Sequence, residues 1–301
     1  MTAAAQSSES PTRLALRRLR QNKFAVASLF FLTFMVALCV LGPLFSAYTE
    51  RDTDFEYRAQ GASAQHWMGT DVLGRDLATR VLTGGRISLA VGFVTTLVAL
   101  IIGISYGAIS GLSGGRVDAL MMRIVDVIYA FPLMIFVIIL TMLLGENETL
   151  LHLAKSVNFD ARILLLFIAI GAVEWLTMAR IVRGQIQSLM KQDFVTCARA
   201  NGAGWGHIML RHLLPNILGP VIVYASLTVP SVMILEATLS FLGLGVQPPY
   251  ASWGSLILDG ANSMETYPWL LVFPALFFSL TLLALNFFGD GLRDALDPKS
   301  R

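Results

Sequence analysis

F-A-V-A-S-L-F-F-L-T-F-M-V-A-L-C-V-L-G-P-L-F, residues 24–45, runs for 22 residues without a charge. A bilayer core takes about 20 mostly apolar residues per crossing helix, so this stretch reads as a transmembrane span. Five more stretches follow the same rule: 87–112, 127–145, 163–178, 213–235 and 267–289. Glu174 is the one charge inside them, and Glu236 closes the charge-free part of the fifth span. The pattern predicts an all-α polytopic membrane protein with six transmembrane helices.

Composition agrees. Mean hydropathy is +0.66, and charged residues make up 14% of the 301, where a soluble domain carries about 25%. The net charge of +2 is uninformative, but its distribution is not. With a cytosolic amino terminus, six crossings return the carboxyl terminus to the cytosol. Fifteen of the 22 Lys and Arg then fall inside and seven outside, the bias expected of a multi-pass chain. The expected layout is a basic cytosolic tail at 1–23, a membrane domain at 24–289 and a cytosolic tail at 290–301. An outer loop spans 46–86 and a cytosolic loop 183–212. Residues 1–12, rich in Ala and Ser, are expected to be disordered.

The first span has a basic lead, but its apolar run is too long for a signal peptide and no small-x-small cleavage site follows it well. A retained helix is expected. Cys39 and Cys197 lie on different elements, so no structural disulfide is expected.

The outer loop mixes acids with arginines. Its second half, from about Asp71 to Leu82, has helical spacing and reads as a helix lying on the membrane surface. In the second span Gly103, Gly107, Gly111 and Gly115 recur every four residues, which aligns them on one helix face. Such a face permits close helix packing, or serves as a contact that slides. Pro132, Pro220, Pro230 and Pro274 fall within spans and favour kinks. After Glu236, Gly243, Gly245 and Pro248–Pro249 should end the fifth helix, and 253–258 reads as a short interfacial helix with Trp253 at headgroup level.

No Lys follows a Gly, so the chain holds no G-x-x-x-x-G-K-[ST] loop. It has no H-E-x-x-H and no C-x-x-C, and a metal site is not expected. His66, His152, His207 and His212 all lie in joints and read as solvated or capping residues. Gly103-Ile104-Ser105-Tyr106-Gly107 matches G-x-S-x-G, but that motif needs a strand-to-helix turn and here it sits inside a span. Asn147-Glu148-Thr149 matches a glycosylation triplet by pattern alone. Acids at membrane depth are costly and are functional candidates by default. Glu174 either faces a polar transport cavity or a partner subunit, or is a locally bonded carboxyl in helix packing. Glu236 reads as packing near the interface.

The cytosolic loop 183–212 is long and basic. Asp193 reads as an N-cap, 194–201 as a short helix with the small residues Cys197, Ala198 and Ala200, and Gly202 as its stop. A second helical stretch, 205–214, leads to Pro215. A short small-faced helix held off the membrane reads either as a docking knob for another protein or as an amphipathic connector.

D-F-V-T-C-A-R-A-N-G-A-G-W-G-H-I-M-L-R-H-L-L-P-N (193–216) resembles the E-A-A, G, I-x-L-P loop of permeases in binding-protein-dependent ABC importers. M-G-T-D-V-L-G-R-D-L (68–77), G-R-I-S-L (85–89), M-A-R-I-V-R-G-Q (178–185), S-F-L-G-L-G-V-Q-P-P (240–249) and F-G-D-G-L-R-D-A-L-D-P-K (288–299) resemble the peptide/nickel subfamily, and above all the C-type permease of oligopeptide importers. The likeness runs from about residue 20 to the carboxyl end, with the motifs in order.

The resemblance implies a type I importer permease fold in a bacterial inner membrane, with both ends cytosolic. It implies a non-catalytic subunit that pairs with a second homologous permease to form the path for peptide. Two cytosolic ATPase subunits carry the ATP and Mg; this chain holds no cofactor. A substrate-binding protein delivers peptide from outside, and no nucleic acid is involved. Thr196, Cys197, Ala198 and Gly202 map to the E-A-A, G core, with Leu214 and Pro215 at its end. Thr196 stands where the family has Glu, which removes a charge-assisted contact to the ATPase from this half. Gly69, Thr70, Asp71, Gly74, Arg75 and Asp76 map to an outer-face motif for gating or binding-protein docking. Import of dipeptides, nickel chelates or another small solute is the nearest alternative. An ion-driven transporter would want paired acids at the midplane, and an intramembrane enzyme lacks a catalytic constellation.

Overall fold

The computed structural model describes residues 11–145 and 161–296, and among these the chain is helical, with one isolated bridge between Thr70 and Asp76. The helices are α1 (Pro11–Gln21), α2 (Lys23–Phe45), α3 (Leu77–Ser113), α4 (Gly115–Ala130), α5 (Leu133–Gly145), α6 (Ala161–Leu189), α7 (Asp193–Ala200) and α8 (Trp205–Ile208). A π-helical turn, Met209–Leu213, then leads into α9 (Leu214–Phe241), followed by α10 (Trp253–Asn262) and α11 (Trp269–Leu296). The expectations placed on residues 1–10, on the 147–149 triplet, and on His152, Lys155, Lys299 and Arg301 lie outside the described residues.

Among the described residues, five helices are long and apolar enough to cross a membrane: α2, α3, α6, α9 with its lead-in from Trp205, and α11. The expected span 127–145 is not one straight helix. α4 and α5 meet at a 91° bend and make a sixth span only as a broken pair. The cause is local. Pro132 has no N–H to donate, and it holds Phe131 in an extended conformation, φ −80° and ψ 137°.

Two further boundaries differ from expectation. No separate surface helix forms at 71–82; Leu77–Leu82 are the first turns of the crossing helix α3. Asp76 caps that helix, its Oδ2 accepting from the Thr79 N–H at 2.8 Å, and no later residue interrupts the 37-residue run. At the chain ends, α1 occupies 11–21 of the expected tail, and α11 continues through 290–296.

α3 and α6 run parallel. A Cβ on Gly103 would lie 2.6 Å from Met178 Cβ, on Gly107 2.4 Å from the Ala179 carbonyl oxygen, and on Gly111 2.9 Å from Ile186 Cβ. Without a hydrophobic force between helices in lipid, close backbone approach supplies the packing energy. Gly115 does not belong to this face. It opens α4 at φ +54°, after Gly114 at φ +59°, and a Cβ there would meet nothing within 4 Å. The two glycines make the reversal between α3 and α4.

Trp253 sits in an apolar cluster with Cys39, Leu77, Val81, Met233 and Leu285, from α2, α3, α9, α10 and α11. It is fully buried rather than placed among headgroups, and its indole N–H donates to the Val81 carbonyl at 2.9 Å. Amphipathic Trp favours interfaces, but here Gly85 leaves room for the ring; a Cβ on Gly85 would lie 2.7 Å from Trp253 Cζ2. Cys39 and Cys197 are both free thiols, one buried and one exposed.

Candidate functional site

The loop between α6 and α9 is ordered by its own chemistry. Gln192, not Asp193, occupies the N-cap, and Asp193 is the first residue of α7. At the other end the Ala203 N–H reaches back to the Ala198 carbonyl at 3.0 Å, and the Gly202 N–H to that of Arg199 at 2.9 Å. That closure needs a left-handed residue at the turn, and Gly202 supplies it at φ +81°. Gly204 then caps α8.

One residue pins α7 to the bundle. Val195 is buried in a cluster with Met178, Val182 and Ile186 of α6, Ile208 of α8 and Ile217 of α9. The opposite face is open. Thr196 and Cys197 are exposed, Ala198 is half-buried, Phe194 is 40% exposed and Trp205 43%. Cys197, Ala198 and Gly202 line an open notch of about 870 Å³ that also takes in Phe194, Gly204 and His207. Leu214 is half-buried and Pro215 exposed at the start of α9, away from the notch lining. The small residues therefore leave a hollow, and aromatic side chains stand at its edge. Arg199 covers the Trp205 ring at 4.6 Å. The sequence reading missed Phe194 and Trp205; large aromatics on a polar connector were the available signal.

Behind this loop lies a polar clamp that the sequence did not suggest. Asp118, at the start of α4, accepts from Ser110 Oγ of α3 at 2.5 Å and from Gln187 Nε2 of α6 at 3.0 Å. Arg183 of α6 adds a two-armed bond to the same carboxylate. A bidentate Arg–carboxylate pair is among the stronger hydrogen-bonded contacts. Three helices that carry the α7 loop are thus tied at one point.

At the other end of the bundle, the outer-face motif folds into a knot. Asp71 accepts from the Leu73 N–H at 2.8 Å, the Arg75 N–H at 2.9 Å, Arg75 Nε at 2.7 Å and Arg80 Nη1 at 2.6 Å. Thr70 Oγ1 accepts from the Gln60 N–H at 2.9 Å and donates to the Tyr57 carbonyl. Gly69 and Gly74 take φ of +81° and +78°, and a Cβ on Gly74 would strike the Asp54 carbonyl oxygen at 1.7 Å. Thr70, Asp71, Arg75 and Asp76 are all buried, and their polar groups hold the loop together. The exposed tip is Val72 and Leu73. His66 is not solvated, as the joint suggested; it is buried, with Nδ1 2.9 Å from Asp76 Oδ1.

The two acids within spans differ. Glu236 does not reach an interface. It is fully buried, with Ser240 Oγ donating to Oε1 at 2.7 Å and Ser88 Oγ to Oε2 at 3.2 Å. Ser88 Oγ in turn accepts the Trp253 N–H at 3.0 Å, so the carboxyl joins α3, α9 and α10. Glu174, midway along α6, is only partly buried. No group of three or more His, Cys, Asp or Glu suited to a metal occurs among the described residues.

Residues 103–301 match the family model of the binding-protein-dependent transport system inner membrane component, and residues 10–62 that of the N-terminal transmembrane domain of oligopeptide transport permease C. The chain is 49% identical over 289 residues to the oligopeptide transport system permease protein OppC of Haemophilus influenzae, covering 95% of this chain and 88% of that protein. It is 49% identical over 289 residues to OppC of Escherichia coli, covering 95% and 91%. It is 42% identical over 293 residues to the dipeptide transport system permease protein DppC of Bacillus subtilis, covering 97% and 87%.

Proposed function

The chain belongs to the inner membrane components of binding-protein-dependent transport systems, and from that premise we propose that it is the permease subunit of an ATP-driven peptide importer. It lines half of the translocation path, in a bacterial inner membrane, with both termini in the cytosol. A second, homologous permease supplies the other half. Two cytosolic ATPases bind and hydrolyse ATP with Mg, and a binding protein delivers peptide from outside. This chain performs no chemistry of its own.

The observation that carries the reading is α7: one face locked into the core through Val195, the other a hollow of Cys197, Ala198 and Gly202. A helix so placed takes a push from a docked partner and passes it on. The route is short. α6 is held to α3 along the glycine face and to α4 through Asp118. Thr196 offers the ATPase a hydroxyl where the family motif has a carboxylate, so docking here rests on shape more than charge.

Purification of the tagged chain from native membranes in mild detergent tests this reading. Two ATPases and a second permease should co-purify, with ATP turnover raised by binding protein plus peptide. A chain that purifies alone without ATP turnover would overturn it. Relatives named for both oligopeptide and dipeptide transport support a second reading for substrate length. Competition of labelled tripeptide uptake by dipeptides and pentapeptides separates the two.

A further inference from the structure

α1 presents one basic face to its surroundings. Arg13, Leu16, Arg17 and Arg20 stand at i, i+3, i+4 and i+7, which is one side of a helix. All four are exposed, Leu16 at 50%. The other side is occupied: α1 packs against α11, and Leu14, Ala15 and Leu19 are half-buried. No Asp or Glu occurs between Glu9 and Glu50, so α1 and α2 bring no acid of their own. The end of α11 brings two exposed acids, Asp290 and Asp294. Against them stand Arg13, Arg17, Arg18, Arg20, Lys23 and Arg293, so this end of the three helices is net basic.

The chain itself keeps α1 at the membrane. Asn22 alone separates it from α2, and at φ −80°, ψ 99° it leaves the helical path. With that joint, no part of the 11-residue α1 lies more than about 20 Å from the start of the span. The joint is fixed in place. Asn22 Oδ1 accepts from the Ala25 N–H at 3.2 Å, and a Cβ on Gly291 of α11 would lie 2.3 Å from Ala25 Cβ. Two residues after the joint, Phe24 is 72% exposed and pairs with Phe287 of α11, ring centroids 5.8 Å apart. Exposed aromatics at the end of a span are groups of the membrane interface, and here they adjoin the basic face.

We propose that α1 is a lipid-binding helix whose Arg13, Arg17 and Arg20 take the phosphodiester groups of anionic phospholipids in the cytosolic leaflet. The proposal takes only the cytosolic amino terminus from the importer reading and goes beyond it. A guanidinium meets phosphate oxygens in pairs. An anionic leaflet attracts basic residues beside a span. Leu16 sits among the arginines on the same face, an arrangement that suits a helix lying in the interface, where the apolar side chain enters the leaflet. Lipid bound there braces the joint at which the first and last spans meet. The competing occupant of the face is a docked ATPase, and the test separates the two.

The test uses the complex co-purified from native membranes and reconstituted into phosphatidylcholine vesicles. The probe is a trace of photoreactive phosphatidylglycerol, with photoreactive phosphatidylcholine in parallel. Wild type should be labelled within residues 11–23 by the anionic probe and far less by the zwitterionic one. Arg13→Gln/Arg20→Gln should keep the same partners and lose about tenfold of that label. Leu16→Ser should weaken it as well. The control Arg116→Gln/Arg123→Gln removes the same charge from two other exposed positions on the cytosolic side and should leave the label on residues 11–23 unchanged. Equal labelling by the two probes would overturn the proposal, because the face would then select no charge. So would full labelling of Arg13→Gln/Arg20→Gln, or an equal loss in the control. Loss of the ATPases from Arg13→Gln/Arg20→Gln would also overturn it, since the face would then be a protein contact.

Discussion

Arg183 grips Asp118 with both arms of its guanidinium, Nε to Oδ1 at 2.5 Å and Nη2 to Oδ2 at 2.6 Å, across 65 residues of chain. The pair joins α6 to α4 directly behind the α7 loop.

Breaking that pair should loosen the assembly and uncouple it. Arg183→Met and Asp118→Asn should each destabilise the detergent-purified complex by about 1–3 kcal/mol, the usual cost of losing hydrogen bonds to a charged group. The double variant should lose less than the sum of the two. A thermal-unfolding double-mutant cycle measures this, and strict additivity would show that the contact contributes nothing.

Gly202 separates strain from shape. Gly202→Ala places a Cβ in open space at φ +81°, so only the left-handed strain of roughly 1 kcal/mol is felt. Gly202→Trp fills the notch. It should insert and pair with the second permease while losing binding-protein-stimulated ATP turnover more than tenfold. Normal transport by a well-expressed Gly202→Trp protein would show that the notch is not where the partner docks.

The glycine face should tolerate nothing larger. Gly107→Leu drives a side chain into the Ala179 carbonyl and should reduce the yield of folded protein severely. Gly115→Asn should be nearly silent, because that position is open and Asn accepts a left-handed conformation. Size-exclusion profiles of fluorescently tagged variants distinguish the two; equal behaviour would contradict the packing described.

Glu236 should matter for stability more than for transport selectivity. Glu236→Ala removes the partner of Ser88 and Ser240 and opens a cavity, at a cost of about 2–4 kcal/mol. Glu236→Gln keeps one carbonyl acceptor and should cost less. A changed preference among peptides in Glu236→Gln, with stability intact, would place this group in the path after all.

Much of the molecule was legible from local sequence. Spans of 20 apolar residues need no partner to be recognised, and Gly202 marked the end of α7 because a left-handed turn favours glycine wherever it occurs. Even so, local signals misplaced several groups. Trp253 looked interfacial because free Trp prefers headgroups, yet Gly85 on α3 opens a slot that buries it. Gly115 kept the four-residue spacing but fell two residues beyond the helix that gave the spacing meaning.

What the sequence determined by itself is therefore membrane residence, the number of apolar segments and the small helix between the fourth and fifth. Each follows from short-range physics: transfer to lipid, backbone hydrogen bonding and the steric limits of φ. The tertiary structure alone decided that Asp118 meets Arg183, that Asp71 is consumed within its own loop, and that Glu236 is bonded to Ser88 and Ser240. Those outcomes depend on how helices far apart in the chain lie against one another, and charge or hydroxyl spacing along one segment carries no record of it.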